Sequence, residues 1–135
     1  MESLPKISEY MDTVVPTLRP ETHIIKAVDF LLEHQVTGAP VVDNNQRLVG
    51  IITETDLLKL VTEGIKGERP DEATVAEYMT TDVITVPPTV DIYYIAGMFL
   101  ANKFRRLPVV EDGKIVGAIT RYDLLRVVRA LLSES

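Results

Sequence analysis

With 135 residues, the chain has room for one compact domain or for two units of about 60 residues, which would have to share a core. The apolar fraction of 46% is that of a folded protein, and no apolar run approaches the ~20 residues of a membrane span. The absence of cysteine excludes disulfides, thiolate nucleophiles and cysteine-based metal sites, and a net charge of −6 argues against nucleic acid as a partner. The start, Met1-Glu2-Ser3-Leu4-Pro5-Lys6, lacks the basic and apolar stretches of a secretory signal, so a cytoplasmic location is the default expectation.

In chain order, the elements fall into two rounds. A short helical turn is expected over 7–11, then an extended stretch over 14–18 that Pro16 limits to an edge or irregular strand. A helix over 23–34 follows, with Thr22 as its N-cap. Strands over 39–42 and 48–53 flank the turn residues Asp43-Asn44-Asn45-Gln46-Arg47, and a helix over 55–61 ends the round. A connector over about 62–74 holds Gly64, Gly67 and Pro70. The second round has a helical turn at 75–79, an extended stretch at 83–86, and a helix at 92–102 behind Asp91. It then has strands at 107–110 and 115–120 around Asp112-Gly113, and a helix at 122–132.

The rounds are copies of each other. Sliding the chain by about 68 residues sets Glu9-Tyr10-Met11 on Glu77-Tyr78-Met79, Thr13 on Thr81 and Val15 on Val83. The same shift sets Pro40-Val41-Val42 on Pro108-Val109-Val110. After one residue is dropped in a turn, Val49-Gly50-Ile51-Ile52-Thr53 meets Val116-Gly117-Ala118-Ile119-Thr120, and Asp56-Leu57-Leu58 meets Asp123-Leu124-Leu125. Each copy therefore ends in Gly-x-x-Thr-x-x-Asp-Leu-Leu. The expected fold is α/β, two pseudo-symmetric β-α-β-β-α repeats packed as one module, with domains at 7–65 and 75–132 and a linker at 66–74.

Met79-Thr80-Thr81, Arg106-Leu107-Pro108-Val109-Val110-Glu111 and the run from Gly117 to Leu125, with their first-copy partners, carry a family resemblance. The chain resembles a tandem pair of cystathionine-β-synthase (CBS) domains, a Bateman module. The resemblance implies a non-catalytic regulatory module that binds an adenine nucleotide or adenosyl ligand in the cleft between the repeats and signals to an effector protein. Candidate ligands are AMP, ADP, ATP, NAD and S-adenosylmethionine, and no cofactor is required. The alternative is an assembly protein whose repeats mediate dimerisation without a physiological ligand.

Thr53 and Thr120 end strands, and Asp56 and Asp123 lie three residues on, in the first turn of a helix. A Thr there can cap the helix, and an Asp complements its dipole. The same geometry favours a phosphate at the helix N-terminus and a carboxylate on ribose hydroxyls. The resemblance gives Thr53 and Thr120 the phosphate role and Asp56 and Asp123 the ribose role. It also implies that Arg106, and with it Arg105, reaches phosphate, that Val15 and Val83 line an adenine pocket, and that Pro108, Thr81, Thr37 and Gly38 lie beside the ligand. Thr13 and Thr81 can equally cap the short strands.

The copies differ in charge. Residues 1–68 hold eleven acids and six bases, against nine and eight in 69–135, where five arginines lie beyond residue 104. Thr37-Gly38-Ala39 supplies no charge where the second copy has Arg105 and Arg106, and Glu54 stands where it has Arg121. The second copy is therefore the expected anion-accepting one. Lys103 is read as a cation on a helix C-terminus. His23 and His34 sit at opposite ends of one helix, roughly 16 Å apart, too far to share a metal ion. No nucleophile–base pair is visible, so no catalytic residue is expected. The stretch from Ile92 to Ala101 has no charged residue and must be covered on more than one side, either in a thick core or at a subunit interface. The resemblance implies a homodimer through these helices.

Overall fold

Alternating apolar residues around tight turns produce two hairpins. β1 (Gly38–Val42) pairs antiparallel with β2 (Leu48–Thr53), and β3 (Arg106–Glu111) with β4 (Lys114–Thr120). The β3–β4 turn places Asp112 at φ 54° and Gly113 at φ 80°, the two positive values that a tight primed turn requires. At the β1–β2 turn, Asp43 Oδ1 accepts from the N–H groups of Asn45 (2.8 Å) and Arg47 (3.0 Å). These two backbone hydrogen bonds, the Arg47 one foremost, hold the Asp43 carboxyl below its usual range. Helices α1 (Ile24–His34), α2 (Glu54–Glu63), α3 (Val75–Tyr78), α4 (Ile92–Ala101) and α5 (Arg121–Ser133), with a 3₁₀ turn at Ile7–Glu9, complete the described elements. The computed structural model describes residues 5–64 and 72–133, so most of the linker expected at 66–74 lies outside the described residues.

The extended stretches expected at 14–18 and 83–86 shrink to one bridging residue each. Leu18 lies parallel to β1, taking Val42 N–H on its carbonyl and donating to Pro40 O. Val86 does the same with Val110 and Pro108. Pro16 and Pro20 around Leu18, and Pro87 and Pro88 after Val86, lack the N–H donors that would extend either ladder. The cap of α1 is His23, not Thr22. Ala27 N–H closes the first turn on His23 O, while Thr22 N–H is spent in a preceding turn on Arg19 O. Asp91 caps α4 as its position suggests, accepting from Tyr94 N–H at 2.9 Å.

The compact units do not follow the sequence copies. One unit runs from Pro16 to Val83, and the other joins the segment ending at Val15 to the segment beginning at Ile84. The opening segment of each copy thus folds onto the other copy. In the first unit, Ile24 N–H donates to Ala73 O, Val75 N–H to Thr22 O, and fully buried Val75 joins a core with Leu31, Val41 and Ile52. In the second, Ile7 N–H donates to Val90 O, Ile92 N–H to Pro5 O, and fully buried Ile7 joins Ile95, Phe99, Val109 and Ile119.

Gly50 and Gly117 are what allow the exchange. Thr80 pairs antiparallel with Ile51 and Asp12 with Ala118, so each opening segment crosses the edge of the opposite hairpin. A Cβ on Gly117 would stand 2.6 Å from Met11 Sδ and 2.9 Å from Asp12 O; on Gly50 it would stand 2.6 Å from Met79 Sδ and 3.0 Å from Thr80 O. The glycine that opens each Gly-x-x-Thr-x-x-Asp run is therefore the place where the other copy's methionine crosses the strand.

Candidate functional site

Each Thr–Asp pair closes a strand onto a helix. Thr53 accepts from Asp56 N–H (3.4 Å), and Asp56 Oδ2 accepts from both the N–H (2.9 Å) and the hydroxyl (3.1 Å) of Thr53. At the start of α5, Thr120 N–H (2.9 Å) and Oγ1 (3.0 Å) donate to Asp123 Oδ2, and Asp123 N–H donates back at 3.2 Å. These reciprocal bonds are capping boxes with Asp in the acidic position. Both carboxylates are largely buried, 8% exposed at Asp56 and 7% at Asp123. The cap role weighed for these residues is therefore realised in both copies.

The second carboxylate oxygens differ. Asp56 Oδ1 accepts from the Thr80 hydroxyl at 3.0 Å. Asp123 Oδ1 instead meets Nη1 of Arg126 at 3.3 Å, and that arginine is more than half exposed. The residue matching Thr80 in the second unit is Asp12, whose own Oδ1 accepts from Val14 N–H at 3.0 Å. Sequence reasoning passed over Thr80 and Asp12. The repeat alignment sets one on the other, and that hydroxyl-for-carboxylate exchange was the available signal.

Strand register places the basic residue. Arg106 stands opposite Thr120 across the β3–β4 ladder, and Gly38 opposite Thr53 across β1–β2. Residues directly opposite share a face of the sheet, so the half-exposed Arg106 shares the face of Thr120. Arg106 makes no ion pair or side-chain hydrogen bond among the described residues. Arg105 is exposed, just before β3, and Pro108 is buried within it. Thr37 is exposed just before β1, where its carbonyl accepts from Glu54 N–H at 2.8 Å. Exposed Thr81 and half-buried Val83 belong to the unit of Thr53 and Asp56; exposed Thr13 and half-buried Val15 belong to that of Thr120 and Asp123.

Arg121 is not where the charge argument put it. Its guanidinium donates to three backbone carbonyls at the end of α4: Phe99 O (2.7 Å) and Asn102 O (3.1 Å) from Nη2, and Phe104 O (3.0 Å) from Nε. Carbonyls at and just beyond a helix end lack intrahelical partners, and a planar five-donor guanidinium can satisfy several of them at once. The helix-end role assigned to Lys103 thus falls to Arg121. Among the described residues no group of three His, Asp or Glu side chains could hold a metal ion, and no helix is long and apolar enough to cross a membrane. His34 Nδ1 lies 2.9 Å from Phe30 O on its own helix.

The model of the CBS domain family matches the chain twice, at residues 7–63 and 75–130. The uncharacterized protein MJ1225 of Methanocaldococcus jannaschii is 33% identical over 90% of the chain, which spans 42% of that protein. The chloroplastic CBS domain-containing protein CBSX2 of Arabidopsis thaliana is 30% identical over 87% of the chain, which spans 60% of it. A crystal structure of CBSX2 in complex with AMP superposes with a TM-score of 0.79 at 31% identity, covering 93% of this chain and 97% of that one. The CBS domain pair of the protein MJ0100, solved with 5′-methylthioadenosine and S-adenosyl-L-methionine, gives a TM-score of 0.77 at 26% identity, covering 95% and 98%.

Proposed function

We propose, for a chain that belongs to the CBS domain family, a non-catalytic regulatory role: it binds an adenine nucleotide or a related adenosyl ligand at its Thr–Asp junctions and signals to a partner protein. The observation that carries this reading is Arg106, a partly buried arginine without an acidic partner among the described residues, on the sheet face it shares with Thr120. A phosphate is the ligand group that suits such a cation beside a helix start. AMP in CBSX2 and the adenosyl compounds in MJ0100 support the choice of ligand class. The ligand's differential affinity for two packing states of the protein is what a partner would read. A thermal-shift series with AMP, ADP, ATP, NAD and S-adenosylmethionine tests it, since a ligand at 100 times its Kd stabilises by about 2.7 kcal/mol. No shift with any of the five would refute the proposal.

The capping boxes favour a second reading. Thr53, Asp56, Thr120 and Asp123 already have intramolecular partners, as an assembly protein without a ligand would have them. That reading draws on exposed apolar residues of α4 and α5, among them Leu100 at 86%, Tyr122 at 72% and Leu125 at 65% exposure. Both readings include a homodimer through such faces, since monomers rarely leave large apolar patches uncovered. A monomer mass in light scattering at micromolar concentration would rule the dimer out.

A further inference from the structure

The two long first helices of the copies are closed by different means. After α1, Gln35 turns to φ 54° and donates its N–H to Leu31 O and Leu32 O, and Val36 N–H also reaches Leu31 O. The chain closes this helix with its own backbone. After α4, Asn102 is extended (φ −136°, ψ 158°), and no left-handed residue follows the helix. The carbonyls of Phe99, Asn102 and Phe104 go instead to Arg121, whose guanidinium also lies 5.5 Å from the centre of the buried Phe99 ring.

The position of Arg121 gives this closure a consequence for the ligand site. Arg121 directly follows Thr120, and Phe104 precedes Arg106 by two residues. One side chain therefore ties the Thr120–Asp123 junction to the segment that leads through Arg105 to Arg106 at the start of β3. The matching residue of the first copy is Glu54, a carboxylate that cannot donate to a carbonyl, and Gly38 stands where Arg106 does. The staple and the basic residues occur together in the second copy and are replaced together in the first.

We infer that Arg121 is the positioning residue for phosphate in the second copy: it fixes segment 102–106 so that Arg106 is presented to the anion beside Thr120, without itself touching ligand. This rests on the nucleotide reading proposed above. The test is calorimetry of the full chain with AMP and with adenosine, comparing wild type, Arg106→Ala, Arg121→Lys and the double variant, with Arg121→Gln as a second probe of the same position. Circular dichroism establishes which variants are folded.

Arg106→Ala is expected to weaken AMP about tenfold and leave adenosine unchanged, because the guanidinium meets only the phosphate. Arg121→Lys keeps the charge but loses the fork, and is expected to weaken AMP roughly three- to tenfold, again without affecting adenosine. In the double variant the loss should equal that of Arg106→Ala alone, since a positioning residue acts through the group it positions. Losses that multiply, or an Arg121→Lys or Arg121→Gln protein that binds AMP like wild type, would overturn the inference. So would equal weakening of AMP and adenosine, which is what a purely structural role produces. Wild type that binds neither compound would remove the nucleotide reading itself, and this inference with it.

Discussion

Replacing Gly117 with Ala tests the crossing of the two copies at its tightest point. The new Cβ would stand 2.9 Å from Asp12 O, a backbone atom that also accepts the Ala118 N–H at 2.9 Å. Met11 can swing its sulfur aside, but Asp12 O cannot move without loosening that hydrogen bond. Overpacking of this kind costs about 1–3 kcal/mol, and a loosened hydrogen bond adds about 1 kcal/mol. The reduced freedom of the unfolded chain returns about 0.4–1 kcal/mol, so the expected net loss is roughly 2 kcal/mol. Gly97, on the exposed side of α4 in the same unit, is the control: a Cβ there meets nothing within 4 Å. Gly97→Ala should gain about 0.5–1 kcal/mol from helix propensity. Urea denaturation followed by circular dichroism measures both, with changes read from midpoints at constant slope. A Gly117→Ala protein as stable as wild type would refute the close approach, and with it the reason for a glycine at this point of each copy.

Further outcomes follow from the same contacts. Thr120→Val keeps the side-chain shape but removes the capping hydroxyl, and should cost about 1–2 kcal/mol in urea denaturation; Thr53→Val should cost a similar amount in the other unit. Asp43→Ala should destabilise at neutral pH. Because the folded carboxyl titrates below its unfolded value, the wild-type advantage is complete above the ordinary carboxylate range and disappears as pH falls through the lowered folded value. Urea midpoints of the two proteins that differ equally at pH 7 and pH 2 would contradict this. Calorimetry with AMP should find unequal sites, because Arg106 faces Thr120 while Gly38 faces Thr53. Two equally tight sites would count against the asymmetry.

Much of this architecture is written in local patterns. Alternating apolar residues and Asp112-Gly113 mark the hairpins, Asp91 marks the start of α4, and the motif's Thr and Asp mark the starts of α2 and α5. Local patterns say nothing about which copy covers which. Ile7 and Val75 read as apolar residues of a helical turn, and nothing in their spacing reveals that each is buried in the core of the opposite copy. Arg121 misled for a similar reason. Its neighbourhood in sequence is a ligand motif, but a long side chain chooses partners in space, and the carbonyls it satisfies lie 17 to 22 residues earlier. The prolines around Leu18 were legible, yet their full effect was not: removing donors on both sides leaves one bridging residue, not a short strand.

The carboxylates supply a second asymmetry, independent of the arginines at β3. A ribose held by the motif needs an oxygen that can take new hydroxyl donors, and Oδ2 is already occupied in both copies by the capping box. At Asp56 the other oxygen is engaged by Thr80, whose segment is itself pinned to β2 by two 2.8 Å backbone bonds. At Asp123 it is engaged by Arg126, a mostly exposed side chain whose ion pair is worth little in water. Arg126 can turn to solvent at small cost, whereas the Thr80 hydroxyl is carried on a backbone held beside Asp56 at the edge of β2. The carboxylate whose second oxygen has an exposed partner therefore lies in the same unit as Arg106, which makes no ion pair among the described residues, and both features favour a ligand there. Arg126→Ala should accordingly leave stability within about 0.5 kcal/mol of wild type and adenosine affinity within about threefold. A much larger loss of adenosine binding would show that Arg126 holds the ligand, and that the exposed ion pair is part of the site and not its displaceable cover.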